Sequence, residues 1–563
     1  MSLRFYERFG ERGEILDPSL PRLTTEESAA AFQPRDDGLS VLLINAPIRE
    51  WSYPNIMPLG HGYVAAVALM DGHRVEALDL NALRRQPVHD SPSAFSRWVE
   101  ERVVEALSRR RPDVIGLGGI ITQYQRIKQI AHLCKRIHPD VPIVLGGGIA
   151  SSLPEFMVER LPIDAAVQEE GEVTFSELLH RLELGESLEG VKGTAYRRTI
   201  QPGNWDIRNN GLRPSVKGRE QGLDWLPWPF REPWPLDEVY KRNPVGHLNW
   251  KTKWLDGAPA QPDQYSESMI ASRGCPYAVR ACDYCYAAYL GKQYRLRSPK
   301  DVVDEMQFLQ RRYGLAYIHF LDDLMMTDFR WALSLCAELR ERHRRDGFEV
   351  LWGGTCRTNI VADDVVRARQ EGRPHMLEQA YEVGMRQVGY GVESASPAIL
   401  KSIDKSGQTV EKMELAVLET QRVMGYADCS FMIASPGETR QTVQETVDFC
   451  RRVNLRPEVF FFTTAYPATT FWQLALDRGL IRKAVTGDAG PADGDIIEAY
   501  FCRLGEQSEA VRTNFSDLPD EEIIELSWWA VSELGAQNTV RHPHTGEEQP
   551  RVAAVRGATR ADV

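Results

Sequence analysis

Twice along its 563 residues the chain alternates short apolar runs with longer stretches of helical periodicity. That alternation limits the fold more than any other feature, because strand-helix repeats bury their apolar runs in a parallel sheet covered by helices. In the first region Val41-Leu42-Leu43-Ile44-Asn45 ends in a turn and reads as a buried parallel strand. Further strands are expected over 74–80, 113–117, 142–145 and 165–167, with helices over 62–70, 93–109 and 125–137. This pattern predicts a doubly wound sheet that ends near residue 200. The second region predicts strands over 269–272, 317–321, 349–353, 387–392, 427–433 and 459–464. Helices over 300–312, 330–340 and 410–424 fill gaps between them, and Ser298-Pro299 supplies a helix start. Six strand-helix units predict a partial barrel of the TIM type.

The remaining segments set the domain boundaries. Residues 1–38 are polar and form a lead-in; 39–200 hold the first sheet; 265–486 hold the barrel; 487–563 are helical and acidic with a frayed tail. Residues 201–264 form a connector that packs by its aromatics, with Trp205, Trp225, Trp228, Trp234, Trp250 and Trp254 among its prolines. With 43% hydrophobic and 26% charged residues, the composition excludes a mostly disordered chain. A net charge of -12 without a block of like charge argues against a nucleic-acid partner. No apolar stretch is long enough to span a membrane, and the first residues are too charged for a signal or anchor. Nine cysteines, an odd number, fit a reducing cytoplasm better than a disulfide scaffold.

Three of those cysteines share one loop after the first barrel strand: Cys275, Cys282 and Cys285, spaced C-x6-C-x2-C. Thiolates are soft ligands that suit an iron–sulfur cluster or zinc. A structural zinc site takes four protein ligands, usually as two close pairs, and here the next cysteine is Cys336. Three ligands point to a cluster with one open iron. Cys134, Cys336, Cys356, Cys429, Cys450 and Cys502 are scattered and default to core positions.

At this loop the sequence resembles the radical S-adenosylmethionine (SAM) enzymes, whose three cysteines hold a 4Fe-4S cluster that chelates SAM through its open iron. The family's usual spacing is C-x3-C-x2-C; here three further residues separate Cys275 from Cys282. The resemblance implies SAM-binding roles along the barrel. Tyr284 holds the place of an aromatic near the adenine, and Phe320-Leu321-Asp322-Asp323 resembles the acidic strand end near the SAM amino group. Trp352 and Arg357 resemble the third-strand pattern, and Gly389-Tyr390-Gly391-Val392-Glu393-Ser394 the fourth, whose Glu lies near the ribose or methionine. Phe431 to Thr439, with Ser435, resembles the fifth-strand motif, and Tyr466-Pro467-Ala468-Thr469-Thr470 the sixth. Ala434 and Ala468 stand where glycine is common.

In the first region Gly116-Leu117-Gly118-Gly119 and Gly146-Gly147-Gly148 fall at strand ends, where glycine serves either a tight turn or the close approach of a ligand. Neither is a dinucleotide fingerprint. The series Asn45-Ala46-Pro47, Pro58-Leu59-Gly60, Gly72-His73-Arg74-Val75, Asp79-Leu80, Gly146-Gly147-Gly148 and Glu170-Gly171-Glu172 resembles the cobalamin-binding domain of cobalamin-dependent radical SAM enzymes. That resemblance implies cofactor contacts at Pro58, Leu59, Gly118, Gly119, Gly146, Gly147, Gly148, Glu170 and Gly171. Asp224-Trp225-Leu226-Pro227-Trp228-Pro229 resembles the family's interdomain connector. The D-x-H-x-x-G motif that supplies a lower cobalt ligand is absent, and His61 reads as a surface or capping residue, so no His is expected below cobalt. The loop from Ile48 to Met57 is placed to cover one cobalt face.

Taken together, the resemblance implies an α/β protein: a Rossmann-like cobalamin-binding domain, a partial (βα)6 radical SAM barrel and a small helical C-terminal region. It implies the cofactors 4Fe-4S cluster, SAM and cobalamin. The expected function is C-methylation of a small-molecule substrate: a 5'-deoxyadenosyl radical abstracts hydrogen and methylcobalamin donates the methyl group. An electron donor such as flavodoxin or ferredoxin is the implied partner. The rival readings are a cyclase or rearrangement enzyme with the same cofactors, and a non-enzymatic cobalamin sensor or carrier.

Overall fold

The computed structural model describes residues 3–17, 32–48, 56–83, 92–201, 204–216, 222–242, 265–278, 282–286, 293–405, 407–505, 510–535, 539–541 and 548–550. Trp250, Trp254 and residues 49–55 of the loop after the first strand lie outside the described residues. The chain forms two compact units: 1–243 with 289–291 and 295–313, and 244–288 with 292–294 and 314–563.

In the first unit, β1 (Ser40–Asn45) is buried along its whole length. It is followed by α1 (Leu59–Met70), β2 (Arg74–Asp79), α2 (Pro92–Arg109), β3 (Val114–Gly118), α3 (Tyr124–Ile137) and β4 (Ile143–Gly146). Then come α4 (Gly148–Ser152), α5 (Pro154–Arg160), β5 (Ala165–Val167), α6 (Gly171–Glu183), β6 (Thr194–Gln201) and β7 (Asn204–Asn209). The seven strands lie in the order β2-β1-β3-β4-β5-β6-β7. The first five are parallel, and β6 and β7 are antiparallel to their neighbours. Strand order reverses at β1, which pairs with β2 on one side and β3 on the other. A crevice opens at the carboxyl ends of strands at such a point.

The β7 segment corrects the expectation that connector begins at 201. Asn204-Trp205-Asp206-Ile207-Arg208-Asn209 lacks an apolar run because an edge strand is solvated on both faces; only Asp206 and Ile207 are partly covered. It is held by Arg198 paired to Asp206 at 2.7 Å and by the Arg197 guanidinium 4.3 Å over the Trp205 ring. The N-terminal segment is likewise packed. Phe5 is buried and donates its N–H to Asp71 Oδ1 at 2.6 Å, and Phe5 and Phe9 pack against Trp225.

Helix α7 (Pro299–Tyr313), which follows the cysteine loop in sequence, belongs to this first unit. Trp228 of the connector packs on Phe308 with ring centroids 5.5 Å apart. Beside it is a buried ion cluster. Arg297 donates to Asp301 at 2.7 Å and to Glu305 at 2.5 Å, and Arg231 pairs with Glu305 at 2.9 Å. All four side chains are at most 6% exposed. Burying them is costly, so each charge depends on its partners.

In the second unit the strands β8 (Ser266–Met269), β9 (Tyr317–Phe320), β10 (Leu351–Cys356), β11 (Met385–Glu393), β12 (Asp428–Ile433) and β13 (Phe461–Phe462) form one parallel sheet. Their order in space is their order in sequence, as in a barrel that stops after six strands. Helices α8 (Phe329–Asp346), α9 (Thr358–Glu371), α10 (Met376–Glu382), α11 (Pro397–Ser402), α12 (Val410–Met424) and α13 (Arg440–Arg452) lie between strands. Tyr317 Oη donates to Gln387 Oε1 at 3.1 Å, and Gln387 Nε2 donates to Asp428 Oδ2 at 2.8 Å, linking β9, β11 and β12. The first of these bonds needs glycine at 353, where a Cβ would fall 2.1 Å from the Tyr317 hydroxyl. Beyond the barrel strands, α14 (Thr470–Asp477) and α15 (Leu480–Thr486) fall within the range expected for the barrel, and α16 (Gly494–Arg503) and α17 (Asp520–Glu533) fall in the range 487–563 expected to be helical. Its tail is not wholly frayed, since residues 539–541 and 548–550 pair as antiparallel strands. Among the described residues no helix is long and apolar enough to cross a membrane.

The ion cluster yields a stability prediction. Arg297→Met strands Asp301 and Glu305 without their main partner, and we expect a loss of about 3 kcal/mol in urea unfolding followed by tryptophan fluorescence. A loss below about 1 kcal/mol would show that the cluster is not sustaining its own burial.

Candidate functional site

The cysteine loop lies at the carboxyl end of the second sheet and is closed by short local turns. Ala278 N–H bonds to the Cys275 carbonyl and Cys285 N–H to the Cys282 carbonyl, each at 2.9 Å. Gly274, before the first cysteine, has φ +80°, and a Cβ there would fall 2.4 Å from the Gln293 carbonyl oxygen. Only glycine permits that turn. Asp283 fixes the loop from both sides: its N–H bonds to the Ile403 carbonyl and its carbonyl accepts from Phe471 N–H. The three thiols are half-buried, and none of the nine cysteines, all among the described residues, is in a disulfide. Burial, then nearby Asp323 and Cys282, raises the Cys275 thiol above its ordinary value. Among the described residues no three His, Cys, Asp or Glu side chains converge as a cage for a single ion. Cys282 is near enough for its charge to bear on Cys275, and three soft donors in one loop fit the broader iron–sulfur cluster.

Around this loop the strand ends separate committed side chains from available ones. Asp322 is buried and accepts two bonds from Ala271 N–H, at 3.1 and 3.0 Å, and one from the Ser272 hydroxyl. Asp323 is open to solvent at the same strand end, yet the surrounding protein and the Asp322 charge push its carboxyl up to about 6. Arg357 is buried with its guanidinium 3.9 Å from the Tyr277 ring centroid, so it braces the cysteine loop. Asn359 donates to the Tyr277 hydroxyl at 3.3 Å. Ser435 is fully buried, 3.0 Å from the Thr463 hydroxyl.

Tyr284 and Glu393 meet, and they meet a residue that sequence reasoning missed. Tyr284 Oη donates to Glu393 Oε1 at 3.0 Å, while Lys405 Nζ reaches Glu393 Oε1 at 2.6 Å and Tyr284 Oη at 3.0 Å. Lys405 is 7% exposed in its side chain. In sequence it sits in Ile403-Asp404-Lys405-Ser406-Gly407, which reads as a solvated turn. The one available clue was the neighbouring carboxylate motif, because a buried lysine needs an anion beside it. Burial, then Glu393, Cys282 and Cys285, lifts the Tyr284 phenol well above its ordinary value, so it stays protonated as a donor.

Three non-glycine residues at or just beyond these strand ends have left-handed backbones: Glu393 (φ +64°), Ala434 (φ +73°) and Ala468 (φ +66°). The two alanines occupy the motif positions where the resemblance expects glycine, and the conformation supplies the physical reason.

In the first unit the glycines lie at the crevice. Gly147 has φ +83°, and a Cβ there would fall 2.6 Å from the Gly119 carbonyl oxygen. Gly119 N–H bonds to the Gly146 carbonyl at 3.4 Å, and Ile149 N–H to the Gly119 carbonyl at 3.2 Å. A Cβ at Gly146 would touch only the Leu117 carbonyl at 4.0 Å, so its backbone faces open space. Pro58 and Leu59 start α1, and Gly171 starts α6. Gly147 is exposed, Pro58, Gly118, Gly119, Gly146 and Gly171 are partly covered, and Leu59 and Gly148 are buried; small residues at strand ends suit the close approach of a large ligand.

His61 is not the surface residue expected. Its Nε2 is 3.2 Å from the Ile44 carbonyl oxygen, its ring meets Trp234 edge-on at 5.5 Å, and a Cβ on Gly118 would fall 2.8 Å from it. Burial lowers its pKa to about 4, so the imidazole is neutral. Glu170 also differs from a free cofactor contact, because Arg295 binds both of its carboxylate oxygens.

Comparison with known proteins agrees with both halves. Residues 51–179 match the B12 binding domain family and residues 269–450 the radical SAM superfamily. An uncharacterised methyltransferase of Pyrococcus horikoshii, PH0819, is 29% identical over 426 residues, covering 75% of this chain and 79% of that one. The anaerobic magnesium-protoporphyrin IX monomethyl ester cyclase of Rubrivivax gelatinosus is 23% identical over 381 residues, covering 66% of this chain and 60% of its own. The radical S-adenosylmethionine methyltransferase TsrM from Kitasatospora setae, solved with cobalamin and a 4Fe-4S cluster bound, has the same fold. It aligns with a TM-score of 0.60 and 20% identity over 88% of each chain. A doubly wound B12-binding sheet joined to a six-stranded radical SAM half-barrel defines an enzyme of three cofactors: cobalamin, SAM and a 4Fe-4S cluster. The chain belongs to the methyltransferase-like family of cobalamin-dependent radical SAM enzymes.

Glu438, in the fifth-strand motif, gives a pH prediction. It is 3% exposed, Oε1 accepts from Thr442 at 2.6 Å, and Oε2 has no partner. Burial pushes its carboxyl from 4.5 up to about 7, partly offset by those hydrogen bonds. The folded state therefore holds a proton that the unfolded chain releases, and stability falls as pH rises through that window. Between about pH 5 and about pH 8, the wild type should lose about 2 kcal/mol of unfolding free energy relative to Glu438→Gln. Parallel stability profiles for the two proteins would disprove the shift.

Proposed function

We propose that the protein is a C-methyltransferase that acts on an unactivated carbon of a small molecule. The observation that carries this reading is the contact of Tyr284, Glu393 and Lys405 beside Cys282 and Cys285, in a chain that also has a B12-binding half. Cys275, Cys282 and Cys285 hold the cluster. Glu393 and Lys405 offer one anion and one cation, complementary to an amino acid moiety such as that of SAM. The protonated Tyr284 orients the carboxylate, and Asp323 is the open carboxylate at the second strand end. Arg357 holds the cysteine loop through Tyr277, and Ser435 fixes the fifth strand end through Thr463. Pro58, Gly118, Gly119, Gly146, Gly147 and Gly171 are the positions offered to the corrin, buried Leu59 and Gly148 back them, and Glu170 is held by Arg295.

When bound, the three groups supply reductive cleavage of SAM and a transferable methyl group. The chain's own part is to position them and exclude water. A one-electron donor of the flavodoxin or ferredoxin class reduces the cluster. The Rubrivivax relative favours a second reading, cyclisation or oxidative rearrangement with the same cofactors.

Products separate the two readings. Reduced, fully loaded protein given SAM should release S-adenosylhomocysteine together with 5'-deoxyadenosine. 5'-Deoxyadenosine alone would rule out methyl transfer, and neither product would favour a sensor or carrier. Lys405→Met should weaken SAM binding to the cluster-loaded protein by roughly 10- to 100-fold, the usual worth of a charged hydrogen bond. Equilibrium dialysis checks this, and unchanged affinity would remove Lys405 from the SAM site.

A further inference from the structure

We propose that His61 binds cobalamin directly: its Nδ1 accepts a hydrogen bond from an N–H or O–H donor on the periphery of the cofactor, without ligating cobalt. The proposal rests on the B12-binding half of the chain and not on the methyl-transfer reading.

The imidazole stands where the strand order turns. β1 and β3 are neighbours there, and ligands of open parallel sheets enter between the carboxyl ends of such a pair. Ile44 is the last residue but one of β1, and Gly118 is the last of β3. His61 touches both: Nε2 lies 3.2 Å from the Ile44 carbonyl oxygen, and a Cβ on Gly118 would fall 2.8 Å from the ring. Gln123 ties the segments that leave the two strands. Its Nε2 donates to the Ala46 carbonyl at 2.8 Å, and its Oε1 accepts from Ile120 N–H at 2.9 Å. Ile48 follows β1 and Ile120 follows β3, and both side chains are exposed. Apolar side chains at the mouth with a convergent polar group are the make-up of a cofactor site.

Chemistry decides which ring nitrogen is on offer. A carbonyl oxygen only accepts, so Nε2 carries the proton and Nδ1 keeps its lone pair. Burial lowers the pKa to about 4, so a second proton is absent at neutral pH. Trp234 meets the ring edge-on, with centroids 5.5 Å apart, and holds its plane. Among the described residues nothing bonds to Nδ1, and the side chain is partly exposed, which leaves the lone pair to a ligand. Cobalamin carries carboxamides around the corrin ring and hydroxyl and amide groups on its nucleotide tail, and each can donate to such a nitrogen. A ring pinned by Ile44 and Trp234 is not free to advance on a metal, so a peripheral donor is the better match.

The test is binding to the full chain, read by corrin absorbance. Hydroxocobalamin and cobinamide, which lacks the nucleotide tail, are titrated into the wild type, His61→Gln and His61→Asn. Glutamine places its amide near the position of Nε2 and can keep the Ile44 bond. Asparagine places a carbonyl oxygen near the position of Nδ1. His61→Gln should bind hydroxocobalamin roughly 10-fold more weakly, the worth of one hydrogen bond whose donor is left unpaired. His61→Asn should stay within about 3-fold of the wild type, because it keeps an acceptor there. Equal weakening of cobinamide by His61→Gln assigns the donor to the corrin ring, and a loss confined to hydroxocobalamin assigns it to the nucleotide tail. Equal affinities of the wild type and His61→Gln would overturn the proposal, as would a weakening that His61→Asn shares in full, which marks a packing role. Reduction of the cobinamide complex to Co(II) checks the metal. A nitrogen splitting in its electron paramagnetic resonance signal that vanishes in His61→Gln would mean ligation and would also overturn it. Should His61→Gln fail to fold, His61→Phe, which keeps a ring beside Trp234 and has no nitrogen, decides by the same factor. Product analysis bears only on methyl transfer, so the two readings fail separately.

Discussion

In a parallel sheet every strand delivers its carboxyl end to the same edge, and this protein uses that constraint in both units. The first sheet sets Asn45, Asp79, Gly118 and Gly146 in register along one rim. In the second, Phe320, Cys356, Glu393 and Ile433 are the last residues of their strands at the same edge, although register shifts on β10 and β11 keep them from pairing directly. Loops that leave such a rim need not fold over the sheet, and they are free to be short, glycine-rich or strained. The cysteine loop, the left-handed residues and the glycine crevice all occupy that position. Changing the register of one strand would remove its contribution from the rim altogether.

The rim is also where buried charge is sorted. Asp322 is saturated by Ala271 and Ser272, whereas Asp323 keeps a carboxylate facing solvent. Glu393 is paired with Lys405, and Glu170 with Arg295. Adjacent residues of one charge thus play opposite parts, one building the backbone turn and the other left for a ligand. Burial of the saturated members is tolerable because each has its bonds, while an unpaired carboxylate such as Glu438 retains its proton instead.

Strand-helix alternation made both sheets legible before any coordinates, because buried parallel strands are short apolar runs whatever their surroundings. Val41 to Asn45 and 165–167 are read directly from that rule. It fails at β7, whose edge position removes the apolar signal. The motif residues were legible by resemblance, and the conformation at Ala434 and Ala468 shows why glycine is the usual choice there. Partnerships between distant segments were not legible. Lys405 with Glu393, Arg295 with Glu170 and Tyr240 with Asp79 each join a residue that carried a strand or motif signal to one far away in sequence that carried none. Tertiary proximity, and not local pattern, gives them their roles.

The two margins of the first sheet carry a consequence for the protein in a crowded cell. On β7, Asp206 is paired to both Arg198 and Arg208. On β2, Glu76 is paired to Arg110. An incoming strand from a neighbouring chain would have to displace these hydrated pairs before making a single backbone bond. The sheet therefore ends where its charges begin, and a wide stack of strands rich in valine and leucine avoids seeding its own aggregation.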